Sequence, residues 1–382
     1  MDQQLGGTVT QQNDPVLIFE HVNSSGFAIG HAQLNVEGTL NSLSLEMIRR
    51  LAPVLTEWSQ REDIAAVVIT AVGEKAFCAG GDIQALYRAI DVNLTAGETI
   101  DSYPFDFFAE EYRLDYLIHT YPKPIVTLGH GIVMGGGLGI LGASQYRVLT
   151  ERSRLALPEV TIGLFPDAGA SWAFRNMQKH HAGFLGLTGS HLNATDALLV
   201  GLGTHVISHS GRVPWLRDLF ELPWRSDSTA NEEVLTEWLA AGCTQEASIL
   251  PDSELVRVPE RDVDCADLVA EASAIYALAG TSQWIDRGIG NLKGGCPTTA
   301  GIVLEQIARV ADMTLAESFQ MELTVATHCA QNTDFHEGVR ALIIDKDFAP
   351  KWKFGSIENL SKAHVLSHFE PPWTVHPLAD LG

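Results

Sequence analysis

The sequence is poor in cysteine and in positive charge, and it has no long apolar run. Its five cysteines (Cys78, Cys243, Cys265, Cys296 and Cys329) are scattered without a CxxC pair. That pattern argues against a zinc site and a disulfide framework, and it fits a reducing cytoplasm. No apolar stretch approaches the roughly 20 residues that a membrane-spanning helix needs. Only 25 Lys and Arg stand against 47 Asp and Glu, a formal net charge of −22. A field of that sign repels polyanions, so neither nucleic acid nor an acidic membrane surface is an expected partner. A small anionic ligand stays compatible, because a few local cations and backbone amides can hold phosphates against the overall field. Residues 1–14 contain no Lys or Arg, unlike a secretory or mitochondrial leader, and read as a disordered N-terminal tail.

What is there is an ordinary globular chain of 382 residues, 46% hydrophobic, long enough for a large domain with a smaller lobe. Phe27 to Leu34 and Ala65 to Thr70 read as strands, being rich in apolar and β-branched residues. Between them Leu45, Ile48, Leu51, Leu55 and Trp58 form a helical stripe, with Asn41, Ser42 or Ser44 as its cap. Ile125 to Leu128 and Tyr146 to Thr150 are further strands. Strands alternating with helices predict an α/β core over 15–212. Pro214, Pro223, Ser226 and Ser228 mark a joint, and 213–382 reads as a C-terminal, mainly helical region. Thr314 with Glu317 predicts a capping box before a helix running through Thr327, and Asp334 with Glu337 predicts a second.

Gly135-Gly136-Gly137 follows a strand and precedes an apolar segment. Glycines in a regular element cost roughly 0.5–1 kcal/mol each relative to Ala, so the run asks for a reason. Gly137-x-Gly139-x-x-Gly142 matches the dinucleotide fingerprint literally, but that motif needs a helix, a strand and then an acid about 20 residues on. Glu151 comes nine residues after Gly142, and Glu159 follows a proline rather than ending a strand. An oxyanion hole for a thioester carbonyl is the competing reading; it needs two backbone N–H groups from different loops. A second glycine turn, Phe77-Cys78-Ala79-Gly80-Gly81-Asp82, makes Gly81 and Gly136 the candidate donors. Tight turns without function are the plain alternative for either run alone.

Taken together these motifs resemble the crotonase (enoyl-CoA hydratase/isomerase) superfamily. Lys75 to Asp82 is similar to its first oxyanion loop, and Lys123-Pro-Ile-Val through Gly137 to its second. Leu187-Thr-Gly and Ala197 through Val206 are similar to a later helix motif. The resemblance implies a spiral of ββα units around a β-sheet core, with an acyl-CoA held at helix N-termini. Coenzyme A would then be part of the substrate, with no separate cofactor and no metal. The histidines His180, His181, His205 and His336 lack metal-ligand spacing as well. Trimers or hexamers are the assemblies the superfamily implies.

Within it, the resemblance is to the branch that hydrolyses 3-hydroxyisobutyryl-CoA in valine catabolism. Pro158-Glu159 through Asp167-Ala-Gly169 and Asp334-Phe-His-Glu-Gly through Trp352 carry the likeness. Hydratases of the superfamily use two glutamates, of which one falls at Gly139 here and the other at Glu159. Lacking the first, the chain is a poor candidate for hydration. In the hydrolase pattern Glu159 and Asp167 match the catalytic and substrate-binding carboxylates, and Glu111 matches a further substrate contact. A carboxylate beside a thioester carbonyl can attack it or activate a water. Read alone, Glu159 is a first-turn helix acid, Asp167 a turn residue and Glu111 a solvated acid. A Δ3-Δ2-enoyl-CoA isomerase, a hydratase-like enzyme and a non-catalytic acyl-CoA binder are the alternatives. Lys75, Arg147 and Lys346 are candidates for CoA phosphate contacts.

Overall fold

Alternation along the strands sets the core. In β2 (Ala28–Leu34), Ile29 joins an apolar cluster with Leu216, Leu219, Phe220, Trp224, Leu235 and Leu239. Its neighbour Gly30 points the other way, where an added Cβ would come within 2.5 Å of the Trp58 ring. Successive side chains on opposite faces therefore bury both sides of the sheet. Trp58 belongs to the helix Leu45–Gln60, whose buried face is Leu45, Met47, Ile48, Leu51, Leu55 and Trp58. Ser44 caps that helix by accepting the Met47 N–H, as the stripe and its caps predict. The apolar cluster opposite is supplied by the helices Arg212–Phe220 and Ser228–Cys243.

The computed structural model describes residues 13–24, 26–243 and 250–382; all but two residues of the expected tail over 1–14 lie outside them. The remaining strands are β1 (Val16–Val22), β3 (Ile64–Ala71), β4 (Ala76–Cys78), β5 (Ile125–Gly129), β6 (Ile132–Met134), β7 (Tyr146–Thr150), β8 (Arg154–Ala156) and β9 (His205–Ile207). Six form one sheet in the order β1-β2-β3-β5-β7-β9, and β4-β6-β8 form another. β1 and β2 pair antiparallel, whereas the rest of the larger sheet is parallel. A long strand, a short strand and a helix then recur along the chain. β3 and β4 lead to the helix Ile83–Ala96, β5 and β6 to Gly136–Ala143, and β7 and β8 to a 3-10 turn at Pro158–Thr161. This is the expected α/β spiral of ββα units.

The chain divides into two compact units, each made of three segments: 1–80, 117–155 and 193–253, and 81–116, 156–192 and 254–382. The larger sheet lies in the first. In the second, the helix Pro297–Val310 packs on Lys179–Thr188, where Gly186 leaves room for Val303. The helix Arg212–Phe220 starts near residue 212, the first unit continues to 253, and among the described residues beyond 212 there are helices and loops only. Thr314 and Glu317 do form a capping box, on the helix Leu315–Gln331. The second expected box is absent. Helix Thr333–Val339 starts at Asn332 without a side-chain cap, because Asp334 accepts from Thr298 and the Lys353 N–H instead. Among the described residues no helix is long and apolar enough to cross a membrane.

Inside the first unit the His21 and His31 rings share a hydrogen bond at 3.1 Å, and His31 bonds Thr70 at 2.8 Å. Burial, then the neighbouring His21, lowers the His31 pKa from 6.5 to about 3. The unfolded chain thus takes up a proton near pH 6.5 that the folded chain refuses, so stability falls as pH drops below that value. His31→Gln is expected to flatten the stability-versus-pH slope between pH 6.5 and 5, by up to roughly 1.4 kcal/mol per pH unit. Urea unfolding at several pH values measures it, and an unchanged slope would count against a neutral buried His31.

Candidate active site

The residues singled out in sequence fall in both units. Glu111, Glu159, Asp167 and Gly81 belong to the second, Gly136 to the first.

Gly136 opens the helix Gly136–Ala143. As its first residue it has an N–H with no acceptor inside the helix. Gly135 precedes it at φ 46°, ψ −127°, a conformation open to glycine. Gly137 is fixed by space, since a Cβ there would lie 2.5 Å from the Cys78 carbonyl oxygen. The literal dinucleotide match at Gly137, Gly139 and Gly142 therefore lies wholly within this helix rather than at a strand-to-helix turn, and Gly139 is buried in it. β4 and β6 run parallel with Cys78 opposite Val133. They deliver Gly80 and Gly135 side by side; a Cβ on Gly80 would sit 3.6 Å from the Met134 carbonyl oxygen. Each of these glycines immediately precedes one of the expected N–H donors. In the second unit, Gly81 is held small by the Phe107 ring, 2.9 Å from where a Cβ would be.

Glu159 sits in the first turn of the 3-10 segment Pro158–Thr161, 3% exposed. Its Oε2 has no hydrogen-bond partner among the described residues. Burial, and then the charge of Asp167, push its pKa well above 4.5. Asp167 is buried too, and burial raises it to about 6 against the pull of a hydrogen bond from Tyr112. The Tyr112 hydroxyl donates to Asp167 Oδ2 at 2.8 Å, with both groups buried. Glu111 is 2% exposed rather than solvated, since the face of helix Tyr103–His119 that carries it turns inward with Leu114 and Ile118. Burial, followed by Asp167, Asp115 and Glu322, raises its pKa well above 4.5. The second unit thus places Asp167 within electrostatic reach of both Glu111 and Glu159.

The two signature segments also meet there. A Cβ on Gly163 would strike the Asp334 carbonyl oxygen at 2.4 Å, and one on Gly338 the Ile162 carbonyl oxygen at 2.2 Å. Backbone therefore touches backbone between Glu159's turn and the Asp334-Phe-His-Glu-Gly run. Sequence reading passed over Tyr112. An aromatic in an amphipathic helix reads as core, and its polar tip gives no separate signal. Among the CoA-contact candidates, Arg147 donates to the Ser144 carbonyl of its own loop. Lys75 and Lys346 belong to the first and second units respectively. Among the described residues, no cluster of His, Cys, Asp and Glu has the arrangement of a metal site.

The comparisons follow this geometry. An enoyl-CoA hydratase/isomerase family model matches residues 29–369. The chain is 36% identical over 354 residues to the mitochondrial 3-hydroxyisobutyryl-CoA hydrolase of Danio rerio, covering 91% of this chain and 88% of that one. It is 32% identical over 341 residues to the protein of the same name from Homo sapiens, covering 89% and 86%. Among solved structures it is similar to a carnitinyl-CoA dehydratase from Mycobacterium thermoresistibile, with TM-score 0.78 and 26% identity, covering 94% of this chain and 97% of that one.

The Tyr112–Asp167 bond gives a direct test. Tyr112→Phe leaves a buried carboxylate without its donor, which costs about 1–3 kcal/mol. The loss is expected at pH 8 and should shrink toward pH 5, where Asp167 becomes protonated in the fold. Chemical denaturation at the two pH values reads it; equal losses would mean that the bond does not favour the ionised form.

Proposed function

The chain belongs to the enoyl-CoA hydratase/isomerase family, and from that premise we propose that it hydrolyses a β-hydroxyacyl-CoA thioester, 3-hydroxyisobutyryl-CoA above all, to the free acid and CoA. The observation that carries the proposal is Glu159: a buried carboxyl with one oxygen unpartnered among the described residues, its pKa raised by burial and by the Asp167 charge, in a chain whose other hydratase position is Gly139. The names of the relatives point two ways, to hydrolases and to a dehydratase. The hydrolases are the more similar in sequence, and hydration lacks its first acid. An isomerase needs a single base, which leaves the retained Asp167 and the Asp334-Phe-His-Glu-Gly run without a purpose. A protein that merely bound acyl-CoA would gain nothing from carboxyls whose burial is costly.

In this reading Gly81 and Gly136 form an oxyanion hole, each donating its backbone N–H to the thioester oxygen. The free N–H at the head of the Gly136 helix supports it, and so does the side-by-side exit of the chain at Gly80 and Gly135. The charge of Asp167 raises the Glu159 pKa, so one proton held by the two is favoured over none, and in that state one serves as base and the other as acid. Glu159 attacks the carbonyl or activates water, and Asp167 orients the substrate hydroxyl or returns a proton to the leaving thiolate. Glu111 is proposed as a further substrate contact. CoA arrives as part of the substrate, and the proposal assigns no metal or other cofactor. Trimeric or hexameric assembly and a cytoplasmic location complete it. The thiols Cys265, Cys296 and Cys329, none of them in a disulfide, support a reducing compartment, while the relatives quoted above are named as mitochondrial.

Thiol release from 3-hydroxyisobutyryl-CoA, measured beside crotonyl-CoA hydration and 3-enoyl-CoA isomerisation, separates these readings. Hydrolysis should dominate, and intact CoA binding without thiol release would sink the proposal. Glu159→Gln is expected to reduce kcat by about 100-fold or more. Gly136→Pro should reduce it by about 100-fold. Proline at a first helical position removes the N–H with little harm to the helix, so thermal stability is the control.

A further inference from the structure

Asp167 stands at the start of a turn with two consecutive left-handed residues, Ala168 at φ 52° and Gly169 at φ 84°. For alanine that conformation is strained by roughly 1–2 kcal/mol, so something must hold it. Immediately after it the helix Ala170–Asn176 begins, and its N-cap residue, Gly169, has no side chain with which to cap. The cap comes from a distant part of the chain. Glu322, in the middle of helix Leu315–Gln331 and 0% exposed, accepts the Gly169 N–H at 2.8 Å on Oε2 and the Ser171 N–H at 2.9 Å on Oε1. Gln306, also 0% exposed, donates to the Pro166 carbonyl and to Ser171 Oγ, both at 2.8 Å. The turn is therefore gripped on either side of Asp167.

We propose that Glu322 is a positioning residue for Asp167, acting through the Gly169 and Ser171 N–H groups to fix where the Asp167 carboxyl points. The inference rests on the role given to Asp167 above and extends it to a residue outside every motif. A capping role alone does not account for the choice of residue. Serine, threonine, asparagine or aspartate at the N-cap position itself would cap a seven-residue helix. Here a fully buried carboxyl does so beside Asp167, Asp115 and Glu111. Burial drives the Glu322 pKa up to about 8 even against the two N–H groups. Placing another acid in that company is costly, and what it gains is a fixed Asp167. Tyr112 grips the carboxyl itself from the opposite helix, so backbone and side chain of Asp167 are held independently.

A mutant cycle tests this. Glu322→Gln keeps size and one acceptor but offers an NH2 group where the second N–H must be met. It is expected to lower kcat about 10- to 100-fold, the scale of a misplaced catalytic group, with KM for the β-hydroxyacyl-CoA changed by less. In an Asp167→Asn background the same substitution should add almost nothing, because the group it positions is already gone. Glu322→Asp, which retains charge but falls short of one N–H, should lie between wild type and Glu322→Gln, and it answers the question if the Gln variant does not fold. Wild-type kcat in the folded Glu322 variants would overturn the inference. So would a loss of the same factor with and without Asp167, which is how a general structural defect behaves. Full activity in Asp167→Asn alone would instead remove the role assigned to Asp167, and the two failures are thereby told apart.

Discussion

Five carboxyl groups share the interior of one unit: Glu111, Asp115, Glu159, Asp167 and Glu322. Most of what is specific to that unit follows from keeping them there. Removal from water disfavours the charged form of each, and the charges of Asp167, Asp115 and Glu322 raise the pKa of carboxyls beside them. The shifts run upward in all five. What separates them is the partner each finds. Asp167 has a phenol and Glu322 has two amides, whereas both oxygens of Asp115 and one of Glu159 have no hydrogen-bond partner among the described residues. Donors favour the ionised form, so the hydrogen bonds at Asp167 and Glu322 oppose the upward shift that burial gives them.

That gradient is a physical basis for division of labour between chemically similar groups. Two acids of one kind become an acid and a base when their surroundings pull their pKa values apart. Glu159 and Asp167 are eight residues apart in sequence, yet one has an oxygen unpartnered among the described residues and the other is tied to a phenol. In the proposed reading that unpartnered oxygen is the one that meets the substrate. The tied group is aimed, by Tyr112 at its oxygen and by the gripped turn behind it. A glutamate beyond every motif then matters as much to the geometry as a residue inside one.

The parts of this arrangement legible in the sequence are those with local causes. Helix Leu45–Gln60 showed in its apolar stripe and its serine cap, and β3 in a run of β-branched residues, because both patterns repeat within a few residues. The glycine turns showed for the same reason: Gly137 is demanded by Cys78 and Gly163 by Asp334, and a missing side chain is visible in one dimension. Asp334 misled for a related reason. Its spacing from Glu337 imitates a capping box, but Thr298 and the Lys353 N–H claim its side chain first. Tyr112, Gln306 and Glu322 were opaque as functional groups, and Glu111 was legible only through the motif resemblance. All four lie inside helices, where an acid or amide reads as solvated and an aromatic as core until their neighbours across space are known. Glu322 left one trace. It falls on the same helical face as Phe319 and Ala326, three and four residues away, both fully buried. An acid on an apolar face is the sequence sign of a buried charge with a purpose.

The same reasoning bears on why the glutamate that hydration needs is a glycine here. Gly139 is buried in the short helix headed by Gly136, and a carboxyl there would have to be desolvated close to that helix start. Under the proposed reading, in which the Gly136 N–H serves the thioester oxygen, an anion at that place would share the same positive end of the helix. In that reading the carboxylate chemistry rests on Glu159 and Asp167, which differ in the donors they find. Breaking a carbon–sulfur bond, unlike adding water across a carbon–carbon bond, makes no demand for an acid at Gly139.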